Sequence, residues 1–367
     1  MTTKIDFHSS YDVPQLAQEW LELESRADGN FFLSWAWLGC WLSTTGARPL
    51  LFRASDGSRT VGLGFLSRNL MQRNFLRVRQ LCLNETGDPE HDRLTIEHNG
   101  LLMARDCAAN LPLQFFHAVK TSLATDPWDE IVLSGISSKW SDAAEQAGLV
   151  VELDRENADY RVDLGKLRKK DRNWQANLSS NLRSQFRQSR TFAERMGPLS
   201  LTAAQTAEEA LAYFAELVTL HSARWTAAGK SGAFATDFAL AFHHSLIAQN
   251  VGAGGVEMLR LSAGDQVLGY LYNFRYAGTV SNYQSGFSYL DDNRHRPGLL
   301  AHGLAIERSL ASGLHYYDFL AGDSPYKQRL GEDAGSLIWC RAQQNRPGLL
   351  LERLARRAKG ALKGGAR

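Results

Sequence analysis

The sequence predicts an α+β protein built from two copies of one architecture, followed by a short tail. Three observations lead there. The chain has 367 residues, more than one hydrophobic core usually serves, so two domains are expected. Each half runs helices, then an antiparallel strand meander, then a helix and a crossover strand, and a mixed sheet with helices on its faces is the α+β plan. Between the halves, DLGKLRKKDRNWQANLSSNLRSQFRQSRTFAERMG is rich in charge and poor in strand formers. The domains are therefore expected at residues 1–165 and 166–345, with a tail at 346–367.

In the first half, DVPQLAQEWLELESRADG reads as a helix, with a proline near its start, helical apolar spacing and a closing Gly29. SWAWLGCWLSTTG is a second helix with Ser34 as its N-cap; its Trp35, Trp37 and Trp41 are expected in the core or at a domain interface. PLLFRASDGSRTVGLGFLSRN is two strands around an Asp56-Gly57 hairpin turn. NFLRVRQLCLN and NGLLMA are strands, CAANLPLQFFHAVKTSLATD a helix, PWDEIVLSGI a strand, SKWSDAAEQAG a helix and LVVELD a strand. The second half repeats the order. PLSLTAAQTAEEALAYFAELVTLHSARWTAAG is a strand and a long helix, and TDFALAFHHSLIAQN is a helix whose His243-His244 pair is read as packing or surface. GVEMLRLSAGDQVLGYLYNFRYAGTVSNYQSGFSYLD is three strands joined by tight turns. PGLLAHGLAIERSLASG is a helix, LHYYDFL a strand and SLIWCRAQ a final strand.

Composition removes several functions. A formal net charge of +2 argues against a dedicated DNA binder. The four cysteines form no C-x-x-C pair, and Glu90-His91-Asp92 lacks a second ligand cluster, so no metal is expected. The N-terminus has no apolar leader segment and no run approaches the roughly 18 apolar residues of a spanning helix. A cytoplasmic protein is expected, peripheral at the inner face of the membrane if its tail binds there.

The densest chemistry lies in YYDFLAGDSPYKQRLG, residues 316–331. Asp318 sits in a mostly apolar strand and needs pairing or hydrogen bonds there; Lys327 and Arg329 are the nearest cations in sequence. Asp323-Ser324-Pro325 is a helix start, which puts Tyr326 and Lys327 on a short helical turn beside the strand end. A pocket explains this cluster, and so does a well-packed corner.

The span from about residue 175 to 343 resembles the CelD-like acetyltransferases associated with cellulose and exopolysaccharide synthesis, within the GNAT superfamily near the FemAB-type branch. The resemblance rests on Tyr283 and Gly286, on Pro297-Gly298-Leu299-Leu300, and on Asp318-Phe319-Leu320, Gly322-Asp323 and Tyr326-Lys327. NLRSQFRQSR and ARWTAAG add to it. For residues 1–165 the likeness is one of layout. The resemblance implies tandem GNAT-like domains, each a mostly antiparallel sheet flanked by helices, with acetyl-CoA as acyl donor and no metal. It implies a splayed strand pair that offers a backbone N–H to the thioester. Tyr326, or else Tyr283, would protonate the leaving thiolate. Asp318 would hold the substrate amine, and Lys327 would hold Asp318 or a substrate anion.

A helix N-terminus is an anion site, so Gly298 and Leu299 are expected at the coenzyme A pyrophosphate. Leu300 stands where the family carries a small residue and Pro297 removes a donor, so Arg294, His295 and Arg296 would serve as side-chain ligands. In SSNLRSQFRQSR, Arg183, Arg187 and Arg190 share one helical face. They read either as a solvated face or as a clamp for an anionic substrate. Arg224 and Trp225 could stack a sugar or nucleobase, and Asp323 joins them as a substrate ligand.

In the tail, Leu350, Leu351, Leu354, Ala355, Ala358 and Leu362 line one helical side and cations fill the rest. It suits an anionic membrane surface or an acidic partner such as polysaccharide-synthesis machinery, or else it docks back on the protein. The leading function is acyl-CoA-dependent transfer to a free sugar, sugar nucleotide or lipid-linked sugar of an exopolysaccharide or cell-envelope precursor. The alternatives are a FemAB-like transferase using aminoacyl-tRNA, and a non-catalytic GNAT pair binding an anion such as a cyclic dinucleotide.

Overall fold

The computed structural model describes residues 3–170, 173–322 and 324–364, with side chains in the last helix described to Arg356 and at Ala358. Packing divides the chain into two compact units, residues 1–156 with 336–367, and residues 157–335.

The first repeat of the sequence supplies β1 (Lys4–His8), α1 (Val13–Glu24), α2 (Trp35–Thr45), β2 (Leu50–Asp56), β3 (Arg59–Arg73), β4 (Leu76–Leu83), β5 (Leu102–Met103), α3 (Leu111–Ser122), β6 (Glu130–Ile136), α4 (Ser138–Gln146) and β7 (Val150–Asp163). Then come α5 (Leu164–Lys169) and α6 (Ser180–Glu194). The second repeat supplies β8 (Leu199–Ala203), α7 (Ala207–Ala227), α8 (Asp237–Asn250), β9 (Val256–Ala263), β10 (Gln266–Tyr276), β11 (Thr279–Phe287), α9 (Pro297–Ala311), β12 (Tyr316–Ala321), α10 (Pro325–Leu330) and β13 (Glu332–Gln343), and α11 (Pro347–Gly364) ends the chain. Ser34 is the N-cap expected, whereas α1 stops at Glu24 with Ser25 as its C-cap, short of the Gly29 expected to close it. Asp12 caps α1 by accepting the Gln15 N–H, Ser34 caps α2, Gly46 ends α2 in the left-handed conformation, and Thr206 caps α7.

In unit one the strand order is β1-β2-β3-β4-β6-β13, with β5 beside β3. In unit two it is β8-β9-β10-β11-β12-β7. The two orders match position for position: one parallel pair in each, β4 with β6 and β11 with β12, and antiparallel pairs elsewhere. The fold is the expected duplicated α+β plan. The repeats exchange their last strands. β13, from the second repeat, pairs with β6 through Ile338↔Ile136 and Gln343↔Glu130, and β7, from the first, pairs with β12 through Tyr317↔Val162 and Asp318↔Arg161. Where the sequence suggests one boundary near residue 165, the chain crosses between the units at 156/157 and again at 335/336.

Each unit closes its own core. In unit one Trp20 stacks on Phe65 with centroids 5.1 Å apart, and Trp37 and Trp41 are buried. In unit two Leu182 and Phe186 of α6, Leu300 and Ile306 of α9, and Tyr317 and Phe319 of β12 form one cluster. Two glycines permit the close approaches that position the site. A Cβ on Gly303 would lie 2.2 Å from the Phe186 ring, so α6 can lie against α9. A Cβ on Gly286 would lie 2.6 Å from the Leu217 carbonyl oxygen, so α7 can lie against β11.

Candidate active site

In unit two the parallel strands β11 and β12 pair only over Thr279↔Tyr316, Val280↔Tyr317 and Ser281↔Asp318. β11 then runs on to Phe287 without β12. A cleft of about 260 Å³ opens at this divergence, with Ser285 and Phe287 of β11, His302 of α9 and Tyr326 of α10 in its walls.

One end of the cleft gathers hydrogen-bond donors. Ser189 of α6 clamps the start of α9: its hydroxyl donates to the Arg296 carbonyl and receives the Arg296 N–H, both at 3.2 Å. The Leu300 N–H closes the first helical bond on Arg296 O, which leaves the N–H groups of Gly298 and Leu299 as first-turn donors, since Pro297 has none. His295 is 6% exposed and lines the cleft. Its Nδ1 accepts the Leu290 N–H at 3.1 Å, so the proton of the neutral ring is on Nε2. That nitrogen and Arg296 Nη1 are buried without an acceptor among the described residues. Burial holds the His295 imidazole below its ordinary pKa, so it stays a neutral donor.

The other end carries phenols. Arg224, the last-turn cation of α7, donates from Nη1 to Tyr289 Oη at 2.6 Å, and its guanidinium also lies 5.3 Å from the Tyr289 ring centroid. Tyr326 is exposed to the cleft, yet burial of its hydroxyl end among these groups pushes the phenol up to about 12, against the opposing charge of Arg224. Its ring stacks on His302, whose Nδ1 lies 3.0 Å from Tyr317 Oη. Burial first, and then the Lys327 charge, hold His302 down to about 3.

The remaining expected site residues are placed as follows. Asp318 and Lys327 build the corner that launches α10. Asp318 Oδ1 accepts the Leu320 N–H at 2.7 Å, and Lys327 Nζ donates to the carbonyls of Leu320 and Ala321 at 3.0 and 2.7 Å. Leu320 sits at φ 60°, a left-handed conformation costly to a leucine, and these bonds offset the strain. Lys327 thus holds two backbone oxygens of the same corner. Tyr283 is the extra residue of a β-bulge, because Tyr272 pairs with Gln284 and Asn273 with Asn282. The bulge turns Tyr283 away from the face that carries Ser285 and Phe287, and it packs among His243, Tyr272 and Phe274.

Arg294 is held by Asp292 in a two-pronged pair and lines a separate groove with Arg187 and Arg195. Arg183 Nη1 lies 3.5 Å from the Ala176 carbonyl oxygen, and Arg190 pairs with Glu307 at 3.5 Å. The arginine row therefore does not act as one clamp on this cleft; α6 contributes Leu182 and Gln185 instead. Trp225 lies against His221, with Lys230 over its ring. Asp323 lies outside the described residues. Of the expected set, Tyr326, Arg224, His295, Arg296, Gly298 and Leu299 meet in the cleft. His302 and Tyr289 were not foreseen: nothing local marks a histidine in the middle of an apolar helix or a tyrosine after a strand as cleft residues.

Residues 180–328 match the family of acetyltransferase (GNAT) domains, and every residue named in the cleft falls inside that span. The match lies wholly within unit two. The fold is similar to that of FemX, with TM-score 0.60 and 11% identity over 96% of this chain and 99% of that one. It is also similar to the C-terminal domain of a putative lysylphosphatidylglycerol synthetase from Agrobacterium fabrum, at 0.54 and 10% over 91% and 93%. A third likeness is to L-PGS from Bacillus licheniformis, at 0.53 and 12% over 94% and 96%. At these identities the likeness is one of fold. No curated protein matches the chain.

Proposed function

We propose that unit two transfers an acyl group, acetyl in the simplest case, from a coenzyme A thioester to an amine or hydroxyl of a sugar in a cell-envelope or exopolysaccharide precursor. The observation that carries this reading is the pairing of unmet donors at the start of α9, His295 Nε2 and Arg296 Nη1, with a protonated phenol, Tyr326, in the same cleft. The pyrophosphate binds at the Gly298 and Leu299 N–H groups with His295 and Arg296, and the pantetheine arm runs toward Tyr326. The acceptor attacks the thioester carbonyl and the carbon–sulfur bond breaks. Tyr326 gives its proton to the thiolate, and the proton lost by the acceptor restores the phenol. Arg224 and Tyr289 orient the acceptor.

A second reading replaces the thioester by the aminoacyl ester of a tRNA, the donor expected on the FemAB-type branch. The fold likeness to FemX over nearly the whole chain favours it. Calorimetric titration with acetyl-CoA, with charged tRNA and with a cyclic dinucleotide separates these readings. Saturable acetyl-CoA binding together with acceptor-dependent release of free thiol supports the first. Binding of charged tRNA alone replaces it with the second, and binding of the dinucleotide alone removes catalysis from the account.

A further inference from the structure

α11 lies on unit one with its polar side inward. Glu352 is 0% exposed and Arg353 6%. Arg353 Nη1 donates to Gln343 Oε1 at 2.8 Å, Arg356 Nη2 to Glu152 Oε2 at 3.0 Å, and Asn74 Nδ2 to Glu352 Oε1 at 3.1 Å. Leu349 is buried with them at 2%, but the next three leucines point the other way: Leu350, Leu351 and Leu354 are 45%, 58% and 54% exposed. A surface helix ordinarily does the opposite. Phe75, at the turn between β3 and β4, is 63% exposed. That turn flanks the start of α11, since a Cβ on Gly348 would lie 3.8 Å from Leu76 Cδ1. Burying ion pairs while leaving three leucines and a phenylalanine in water is unfavourable on both counts unless something covers the apolar side.

Charge says what covers it. Residues 346–367 carry seven Lys or Arg and one acid, Glu352. Arg346, Arg353 and Arg356 are engaged by unit one. In the sequence Arg357, Lys359, Lys363 and Arg367 complete the basic set of this segment. A second copy of this face would oppose cation to cation. No helix among the described residues is long and apolar enough to cross a membrane.

We propose that the outer face of α11, with Phe75, lies on an anionic lipid surface. The leucines enter the boundary of the acyl chains while the lipid phosphates meet the flanking cations. The proposal rests on unit one alone and stands whichever donor unit two takes.

The test is flotation of the full chain with phosphatidylcholine vesicles, with and without about a third phosphatidylglycerol. The wild type floats with the anionic vesicles at least about tenfold more than with the neutral ones, and less as salt rises. A Leu351→Glu/Leu354→Glu variant loses that binding at least about tenfold and keeps its melting temperature, because both side chains already face water. Four results overturn the proposal. The wild type ignores anionic vesicles; the double variant floats as well as the wild type; the variant melts early, which makes the leucines part of the core; or light scattering finds a dimer that the variant dissolves.

Discussion

The imidazole of His302 lies face to face with the phenol of Tyr326, ring centroids 5.4 Å apart and planes 18° from parallel. His302 is fixed from behind by Tyr317, so the stack sets where the Tyr326 hydroxyl can go. Tyr326→Phe keeps the stack and removes the proton. With acetyl-CoA and a working acceptor, kcat should fall on the order of 10²-fold, as loss of a general acid does. KM and melting temperature should hardly move. Full activity in this variant would leave the phenol a packing residue.

Arg296→Met removes the guanidinium whose Nη1 is unmet, while the backbone clamp to Ser189 remains. Loss of one charge-assisted hydrogen bond costs about 1.5–3 kcal/mol, so the acetyl-CoA Kd should rise by about ten- to a hundredfold. Arg183→Ala, in a residue turned to the Ala176 carbonyl, should leave that Kd unchanged. Calorimetry on the two variants checks both, and equal effects would remove the anion end of the cleft from the donor site.

Gly286→Ala places a methyl against the Leu217 carbonyl oxygen, an atom of helix backbone that cannot rotate aside. Overpacking of this kind costs about 1–3 kcal/mol. Because α7 must move off β11, Arg224 should lose Tyr289 as well. Melting temperature and acceptor KM should both worsen; a neutral substitution would mean that α7 rides on β11 loosely.

Burial holds two histidines of unit two, His243 and His302, down to about 3, against about 6.5 in an unfolded chain. Between those values the unfolded chain binds protons that the folded chain refuses. The stability from keeping the rings neutral is therefore full above pH 6.5 and is lost as pH falls toward 3, on the order of 5 kcal/mol per ring at its limit. Urea midpoints should drop steadily from pH 7 to 4.5. His302→Gln should lower the midpoint at pH 7 and flatten the slope by about one proton; an unchanged slope would mean that the ring is not held neutral.

Glu85 of unit one behaves with the opposite sign. Burial first, and the Asp92 charge second, raise its carboxyl to about 8. The folded chain then holds a proton that the unfolded chain gives up near pH 4.5, so this contribution is present below that pH and is lost as pH rises through 8. Glu85→Gln should melt at nearly the wild-type temperature at pH 5 and above it at pH 9. A variant less stable at pH 9 would show that the carboxylate is accommodated as a charge.

Much of this protein was legible in one dimension. Periodicity marks most of the helices, and Ser34 was legible as a cap because it acts on an N–H group three residues away. The repeated element order exposes the duplication, and Tyr326, Arg224, Gly298 and Leu299 carry enough local character to be singled out. Other features depend on partners distant in sequence. β1 and the polar stretch of β7 through Asp163 become strands only by pairing with β2 and β12. The faces of Tyr283 and of the arginines on α6 follow from a bulge against β10 and from ion pairs such as Arg190 with Glu307. The side of α11 that turns inward follows from Glu152, Gln343 and Asn74. Spacing along a chain reports which residues share a face. Which face is buried, and against what, is decided by hydrogen bonds and ion pairs that exist only once distant segments have met.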